Sequence, residues 1–313
     1  MMMLDIWNKK AIYITFEDPS IERNTKIMYM NNDRDTRIEI FEDTLRLCKK
    51  NTKLAEAIKA SRTGTKFYAA DEYPEKAKPA PERSAEISVT AERTLEAAKR
   101  LSEKHRGKRI AVLNFASATN PGGGVTRGSS AQEEALCRCS TLYPCLVTNK
   151  LEGLFYSMHK ELNDARHTDA CIYTPGIISI KSDTVFPKTV PESEWFTVDV
   201  ITCAAPNLRK VPYNSMNPYE GKSVKVTPPE LLEIHKKRGS HILDIAAANG
   251  ADTVVLGAFG CGAFRNDPNI VAKSYREILP SYKNFFDEIV FAIYCSPRDT
   301  WNFDTFNRIL ANI

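Results

Sequence analysis

Several motifs that mark large enzyme classes are missing from this sequence. Neither of its two glycine-rich loops is followed by Gly-Lys-Ser or Gly-Lys-Thr, so neither is a P-loop, and no Gly-x-Ser-x-Gly is present for a serine hydrolase. His-Glu-x-x-His does not occur, the five histidines are scattered, and the eight cysteines form no Cys-x-x-Cys pair. Because no set of residues has the spacing of a zinc site, we expect neither a metal nor another cofactor.

The chain also lacks long apolar runs and a strong excess of charge. No stretch is long enough to span a bilayer, and the first ten residues have neither the apolar core nor the cleavage site of a signal peptide. The net charge is only +4, which is not a nucleic-acid footprint but would help to attract a polyanionic substrate. The cysteines lie mostly in apolar segments, as is typical of buried free thiols in a reducing cytosol. We expect a cytoplasmic monomer that binds neither nucleic acid nor membrane.

The most informative stretch is Asn114–Glu134, which joins an apolar strand to a helical pattern. Backbone N–H groups in a glycine loop can bind an anion such as phosphate, and adjacent glycines permit positive φ angles or close approach. A glycine loop beside two carboxylates suits a phosphorylated ligand and acid–base chemistry. The alternative is a tight turn before a helix with glutamate in its first turn. The residues concerned are Gly122, Gly123 and Gly124, followed after seven residues by Gln132, Glu133 and Glu134.

A second glycine loop, Gly257–Pro268, follows an apolar strand and precedes a helical pattern. Ligands of open α/β sheets bind at the carboxyl ends of the strands, and a helix N-terminus favours negative charge, so this loop suits a diphosphate. It is not the dinucleotide-binding fingerprint, because Arg265 stands where Gly-x-Gly-x-x-Gly needs its third glycine. A strand–turn–helix connection without a ligand is the alternative.

From Arg109 onward, short apolar segments alternate with helical patterns. This alternation is typical of a sheet covered by helices on both faces, and it predicts a three-layer α/β/α domain. We place a boundary between a mainly helical accessory region, residues 1–84, and the α/β domain, residues 85–313. The elements predicted before Arg109 are a strand over Ala11–Asp18, two helices between Asp35 and Ala60 that break near Asn51-Thr52, a loop over Gly64–Arg83, and an amphipathic helix over Ser88–Ser102.

The sequence resembles a known family in several separate blocks. The sequence has three glycines followed, after a spacing of seven residues, by Gln-Glu-Glu, and this pattern looks like the signature of the poly(ADP-ribose) glycohydrolases. The surrounding sequence is similar to their bacterial-type branch. The resemblance covers the chain from about Ala85 to its end and implies a macrodomain-like fold with a mixed sheet. The blocks are LNFASATNPGGG…AQEEALCRCSTLYPCL, IYTPGI (Ile172–Ile177), VDVITCAAPN (Val198–Asn207), VLGAFGCGAFRNDP (Val255–Pro268) and VFAIY (Val290–Tyr294).

The resemblance implies a hydrolase that cleaves the ribose–ribose O-glycosidic bonds of poly(ADP-ribose), exo-acting, with ADP-ribose as its product. It implies that Glu134 acts first as acid and then as base, that Glu133 hydrogen-bonds the ribose hydroxyls, and that Gln132 supports the loop or the ribose. The partners implied are poly(ADP-ribose) or ADP-ribosylated proteins. Two alternatives stay open: a macrodomain reader that binds ADP-ribose without cutting it, and a mono-ADP-ribosyl hydrolase.

The resemblance also implies which residues bind the ligand. Animal relatives have an asparagine where this chain has Ser117, so we assign the ribose-contacting amide to Asn120. Phe264 falls where the family has a phenylalanine that orients the terminal ribose, while Phe259 is either a ligand contact or core. His159 either reaches the cleft or has a core role. The diphosphate would be bound by Gly260, Cys261, Gly262 and Ala263.

Overall fold

The computed structural model describes residues 19–75, 78–213, 219–296, 298–311 and 313, with side chains from residue 33 onward. Its described residues contain a seven-stranded mixed sheet with the strand order β1-β4-β5-β3-β6-β7-β2. β4 runs antiparallel to both of its neighbours, and the pairs from β5 to β2 are parallel. The strands are β1 Lys66–Tyr68, β2 Glu86–Thr90, β3 Ile110–Phe115, β4 Cys171–Ser179, β5 Phe196–Cys203, β6 Thr253–Leu256 and β7 Glu288–Ala292.

Helices cover both faces of this sheet. None in the described part of the chain is long and apolar enough to cross a membrane. The helices are α1 Pro19–Lys50, α2 Thr52–Gly64, α3 Thr94–Lys104, α4 Gln132–Cys139, α5 Leu142–Leu146, α6 Asn149–Leu151, α7 Met158–Leu162, α8 Pro228–Ala248, α9 Pro268–Ile278 and α10 Trp301–Leu310. Short turns of 3₁₀ helix lie at Val125–Arg127, Glu192–Glu194 and Leu279–Tyr282, and a π-helical segment, Glu152–Ser157, joins α6 to α7.

The core consists of two apolar clusters, one on each face of the sheet. Successive side chains of a strand point to opposite faces, so Val112 of β3 belongs to one cluster while Ala111 and Leu113 belong to the other. The first cluster includes residues of α1 to α5, and the second includes residues of α8, α9 and α10. The predicted three-layer α/β/α fold with a mixed sheet is therefore confirmed.

Two of the elements predicted from the sequence were wrong. The helix predicted over Ser88–Ser102 begins only at Thr94, because Glu86–Thr90 pairs in parallel with β7 as an edge strand. Ile87 and Val89 alternate along this strand and pack on the core. Pairing with β7 therefore decides the conformation of this segment, although its apolar residues have helical spacing. The loop predicted over Gly64–Arg83 contains β1, which pairs with β4 and is too short to show a period.

The N-terminal helices pack on the first apolar cluster. The predicted break between them is confirmed: α1 ends at Lys50, and the side chain of Asn51 accepts a hydrogen bond of 3.2 Å from the amide of Leu54 and caps α2. Phe41 and Leu54 are buried in the same cluster as Val112 of the sheet. The boundary placed at residue 84 stays a prediction, and the strand predicted over Ala11–Asp18 lies outside the described residues.

Candidate active site

A cleft of about 640 Å³ opens at the carboxyl ends of the parallel strands, and both glycine loops reach it. It is lined from the first loop by Gly123, Gln132, Glu133 and Glu134, and from the second by Gly260, Gly262, Ala263 and Phe264. The structure thus brings together most of the residues singled out in the sequence. Asn120, Gly122, Gly124 and Cys261 lie behind this surface and do not line it.

The first loop is held by the protein's own carboxylates. Gly122 and Gly123 adopt φ angles of +72° and +59°, and a Cβ added at Gly123 would lie 2.5 Å from Oε1 of Glu134. The amide of Gly122 donates to Oε1 of Glu133 at 3.2 Å, and the amide of Gly124 donates to Oε1 of Glu134 at 2.8 Å. The sequence suggested that these amides hold a ligand phosphate; in the structure they donate to carboxyl side chains of α4.

Glu133 is 2% exposed and accepts hydrogen bonds at both oxygens. The amide of Ser117 donates to Oε2 at 2.7 Å, and Asn114 Nδ2 donates to Oε1 at 3.3 Å, in addition to Gly122. Burial, and then the neighbouring charge of Glu134, raise the pKa of Glu133 well above its ordinary value. This side chain fixes the end of β3 to the glycine loop and lines the cleft.

The two carboxyl oxygens of Glu134 differ in their hydrogen bonding. Glu134 is 7% exposed, and while Oε1 accepts from Gly124, Oε2 has no hydrogen-bond partner among the described residues. Burial raises the pKa of Glu134, and the hydrogen bond from Gly124 partly offsets that rise. A buried carboxyl with a raised pKa and a free oxygen is suited to carry a proton near neutral pH.

Gln132 supports the loop. Its Oε1 accepts from the amide of Phe115 at 2.9 Å, and its Nε2 donates to the carbonyl oxygen of Leu113 at 2.7 Å and to Thr94 Oγ1 at 3.0 Å. Both amide hydrogens and the oxygen are therefore engaged within the protein. Of the two roles that the sequence left open, this geometry favours support of the strand end over contact with a sugar.

The second loop presents free backbone donors. The amides of Gly262, Ala263 and Phe264 donate to no acceptor among the described residues, and α9 begins directly after the loop. The buried side chain of Asn266 donates to the carbonyl oxygens of Pro206 at 2.7 Å and Gly260 at 3.1 Å and so fixes the loop from behind. Consecutive free amides in a glycine-rich loop that leads into a helix form a site suited to a diphosphate.

The aromatic residues of the second loop differ in exposure. Phe264 lines the cleft, with the Arg209 guanidinium 5.9 Å from its ring centre. Phe259 is almost fully buried and packs on Phe115, with 5.6 Å between ring centres, so its role is mainly in the core. His159 is buried as well: burial lowers its pKa to about 3, and its Nδ1 lies 2.8 Å from the carbonyl oxygen of Phe155.

A buried glutamate that the sequence provided no reason to select lies behind the first glycine loop. Glu220 is fully buried, and its Oε1 accepts hydrogen bonds from Ser117 Oγ at 2.7 Å and Thr119 Oγ1 at 3.1 Å. Asn207 Nδ2 donates to its Oε2 at 3.2 Å, and Asn207 Oδ1 in turn accepts from Arg209 Nε at 3.0 Å. Glu220 lies in a loop without periodicity, where only spatial proximity reveals it.

Other cleft residues come from distant parts of the chain. The guanidinium carbon of Arg93 lies 3.8 Å from the ring centre of Tyr294, near the ends of β2 and β7. Arg34 and Arg37 of α1 line the cleft on the side of the first loop. Within the described residues, no group of three or more His, Cys, Asp or Glu side chains is arranged to hold a metal ion.

The fold is a three-layer α/β/α sandwich with a mixed sheet, and two glycine loops and a buried glutamate pair lie at the carboxyl ends of its parallel strands. Together these features define a macrodomain-like protein. The family model for the catalytic domain of microbial-type poly(ADP-ribose) glycohydrolase, PARG, matches residues 34–182. No curated protein matches the chain. The chain belongs to the microbial-type PARG family, as the solved structures below also show.

Three solved structures illustrate the similarity. PARG from Thermomonospora curvata is 29% identical, with a TM-score of 0.76 over 88% of this chain and 100% of that chain. The same enzyme bound to the inhibitor ADP-HPD is 28% identical, with a TM-score of 0.72 over 88% and 99%. PARG from Deinococcus radiodurans in complex with ADP-ribose is 32% identical, with a TM-score of 0.67 over 81% of this chain and 96% of that chain.

Proposed function

We propose that this protein hydrolyses the ribose–ribose O-glycosidic bonds of poly(ADP-ribose) from the free end of the polymer and releases ADP-ribose. The observation that carries the proposal is the buried carboxyl of Glu134, with one oxygen bound by the Gly124 amide and the other without a partner in the part of the chain that the structure describes. A protein that only reads ADP-ribose has no use for two buried carboxyls beside a polyanion, since burying them costs stability.

The terminal ADP-ribose unit would lie across the strand ends. Its diphosphate would accept hydrogen bonds from the amides of Gly262, Ala263 and Phe264, and its distal ribose would lie between Phe264 and Glu133. The adenosine end would reach Tyr294, whose exposed ring offers a stacking surface. Asn120 lies beside the ribose position but does not line the cleft, so its amide would contact the sugar only after a local shift.

In the proposed reaction Glu134 serves twice. Its carboxyl proton passes to the glycosidic oxygen as the bond to the anomeric carbon breaks, which leaves an oxocarbenium-like sugar and a free hydroxyl on the shortened polymer. The resulting carboxylate then takes a proton from the water that attacks the anomeric carbon. Glu133 and Glu134 are adjacent in α4, so they cannot flank the bond from opposite sides as in ordinary glycosidases, which fits one residue with both roles.

A cytoplasmic location is part of the same proposal. It is supported by the eight cysteines, none of which is in a disulfide and six of which are buried. Such cysteine usage is typical of reducing compartments.

The test compares the unaltered protein with Glu134→Gln on automodified poly(ADP-ribose), without added metal and with mass detection of products. Glutamine keeps the shape and the acceptor for Gly124 but cannot transfer the proton, so the rate should fall by about 10²- to 10⁴-fold. Binding of ADP-ribose should be retained. Glu161→Gln, at an exposed position on α7, is the control and should react like the unaltered protein.

The products distinguish the alternatives. Free ADP-ribose as the early product supports exo cleavage, and oligomers at early times would show internal cleavage. ADP-ribose binding without any product from the unaltered protein would assign it to the readers. Activity confined to single ADP-ribosyl groups on protein would make it a mono-ADP-ribosyl hydrolase.

A further inference from the structure

The wall of the cleft next to the first loop is positively charged. Arg34 and Arg37, one turn apart on α1, both line it. Arg37 Nε donates a hydrogen bond of 2.7 Å to the carbonyl oxygen of Gly128, and the backbone and Cγ of Arg34 pack against the same glycine. Gly128 lies only four residues after Gly124, which binds Glu134, so α1 is fixed close to the reacting carboxyl.

Neither arginine is neutralised by a carboxylate among the described residues. Another arginine of α1 is paired: Arg46 lies 3.4 Å from Asp43, and the same carboxylate accepts a 2.7 Å contact from Lys181. Two unpaired guanidinium groups on a cleft wall favour an anionic ligand, since guanidinium binds phosphate with a pair of parallel hydrogen bonds.

The diphosphate of the terminal unit does not account for these arginines. That group is bound by the second loop, between β6 and α9, whereas α1 contacts the first loop between β3 and α4. On the other side of the scissile bond is the leaving hydroxyl, which belongs to the adenosine ribose of the next unit. The diphosphate of that unit is attached to the same ribose and lies within a few bonds of the leaving oxygen.

We propose that Arg34 and Arg37 form a subsite for the diphosphate of the adjoining ADP-ribose unit, on the leaving-group side of Glu134. The inference rests on the proposed function and extends it, because this subsite gives the polymer an advantage over single ADP-ribosyl groups. A substrate whose leaving group carries no phosphate cannot use it.

The test measures kcat/KM on two substrates. One is poly(ADP-ribose). The other is ADP-ribose with a para-nitrophenoxy group on the anomeric carbon, whose leaving group, para-nitrophenolate, has no phosphate. Arg34→Ala should lower the ratio of the two kcat/KM values, polymer over aryl substrate, by about tenfold, the order expected for one charge-assisted contact. Arg34→Glu should lower it further, because the new charge repels phosphate. Arg34 is the position to vary, since Arg37 also supports Gly128.

The matched control is Arg46→Ala, which removes an exposed arginine from the same helix and should leave both kcat/KM values as in the unaltered protein. An unchanged ratio in Arg34→Ala overturns the subsite, including the case in which both substrates lose equally, since that result assigns Arg34 to support of the loop. If the unaltered protein cleaves neither substrate, the proposed function fails, and a binding measurement then decides the subsite.

That measurement uses the Glu134→Gln variant and follows the Kd of the polymer as salt is raised. Adding Arg34→Ala should weaken polymer binding and reduce the slope of log Kd against log salt by about one, as for any lost phosphate contact. The Kd of ADP-ribose alone serves as the reference. An identical slope with and without Arg34 would show that this residue does not contact phosphate.

Discussion

Glu134 is held in a state that favours its neutral form. Its carboxyl is buried beside a second buried carboxyl, and backbone amides, first that of Gly124, together with the charge of Arg138 only partly offset the effect of burial on its pKa. Under the proposed mechanism, the raised pKa of Glu134 connects its role as the acid to a cost in stability. A carboxyl with a folded-state pKa above its unfolded value binds its proton more tightly in the folded protein, so folding loses stability as pH rises through that interval.

Glu134→Gln should therefore stabilise the protein in a pH-dependent way. We expect Tm of the variant minus Tm of the unaltered protein to be smallest below about pH 4, where both states bind the proton, and to grow toward pH 8. The gain should be about 2 °C for each unit by which the folded pKa is raised in a chain of this length. Calorimetry from pH 4 to pH 8 measures it. Glu161→Gln should give a flat difference, and a flat difference in Glu134→Gln would contradict the burial argument.

At the scale of single elements, the sequence predicts those that carry a strong local signal. β3 and β6 are short, apolar strands that read as buried, and α4 begins at the Gln-Glu-Glu of the first loop. β2 and β1 were missed because their conformation depends on pairing with β7 and β4. The glutamate pair was found from its motif, whereas Glu220 contacts residues 103 and 13 positions away, and no local pattern shows such contacts.

Glu220 joins the two sides of the cleft through the loop between β5 and α8. In Glu220→Gln the Nε2 group would face Asn207 Nδ2, donor against donor, and Asn207 would no longer hold Arg209 over Phe264. We expect kcat to fall by about tenfold with a smaller change in KM, because alignment of the ribose is lost while the diphosphate amides remain. Steady-state kinetics on the polymer measure both constants.

Glu288→Gln is the matched control for that variant. Glu288 is a buried glutamate that accepts from Lys104 Nζ at 2.8 Å, and it begins β7 at the end of the sheet opposite the cleft. The Glu288→Gln variant should be less stable than the unaltered protein but should keep its kcat and KM. Equal kinetics in the two variants would show that Glu220 acts only on stability.

For the whole molecule, the alternation of strands and helices was enough to predict three layers, and the resemblance added the mixed sheet. What the sequence could not give was the path of α1 and α2 over the domain. α1 and α2 place Phe41 and Leu54 in the cluster that covers one face of the sheet, and α1 contributes Arg34 to the cleft. Neither helix has a motif that indicates this position, because contact between distant segments is set by shape and burial.

Leu54→Ala tests whether these helices are part of one cooperative unit. Leu54 is fully buried, so its truncation should cost about 2–5 kcal/mol, which lowers Tm by roughly 3–8 °C for a chain of this length. We expect a single calorimetric transition that shifts as a whole. Leu162→Ala, at an exposed leucine, should change Tm little. A separate early transition in Leu54→Ala would instead support an accessory region that unfolds by itself.

The hydrogen bonds within the first loop have a consequence for the thermodynamics of ligand uptake. The amides of Gly122 and Gly124 are bound to Glu133 and Glu134 of the same chain, and Gln132 fixes the strand end beside them. The entropy lost in ordering this loop therefore belongs to folding. A ligand that enters the cleft would meet the two carboxyls, Gln132 and the loop backbone already held by bonds within the chain, so little of its binding free energy would be spent on assembling this end of the site.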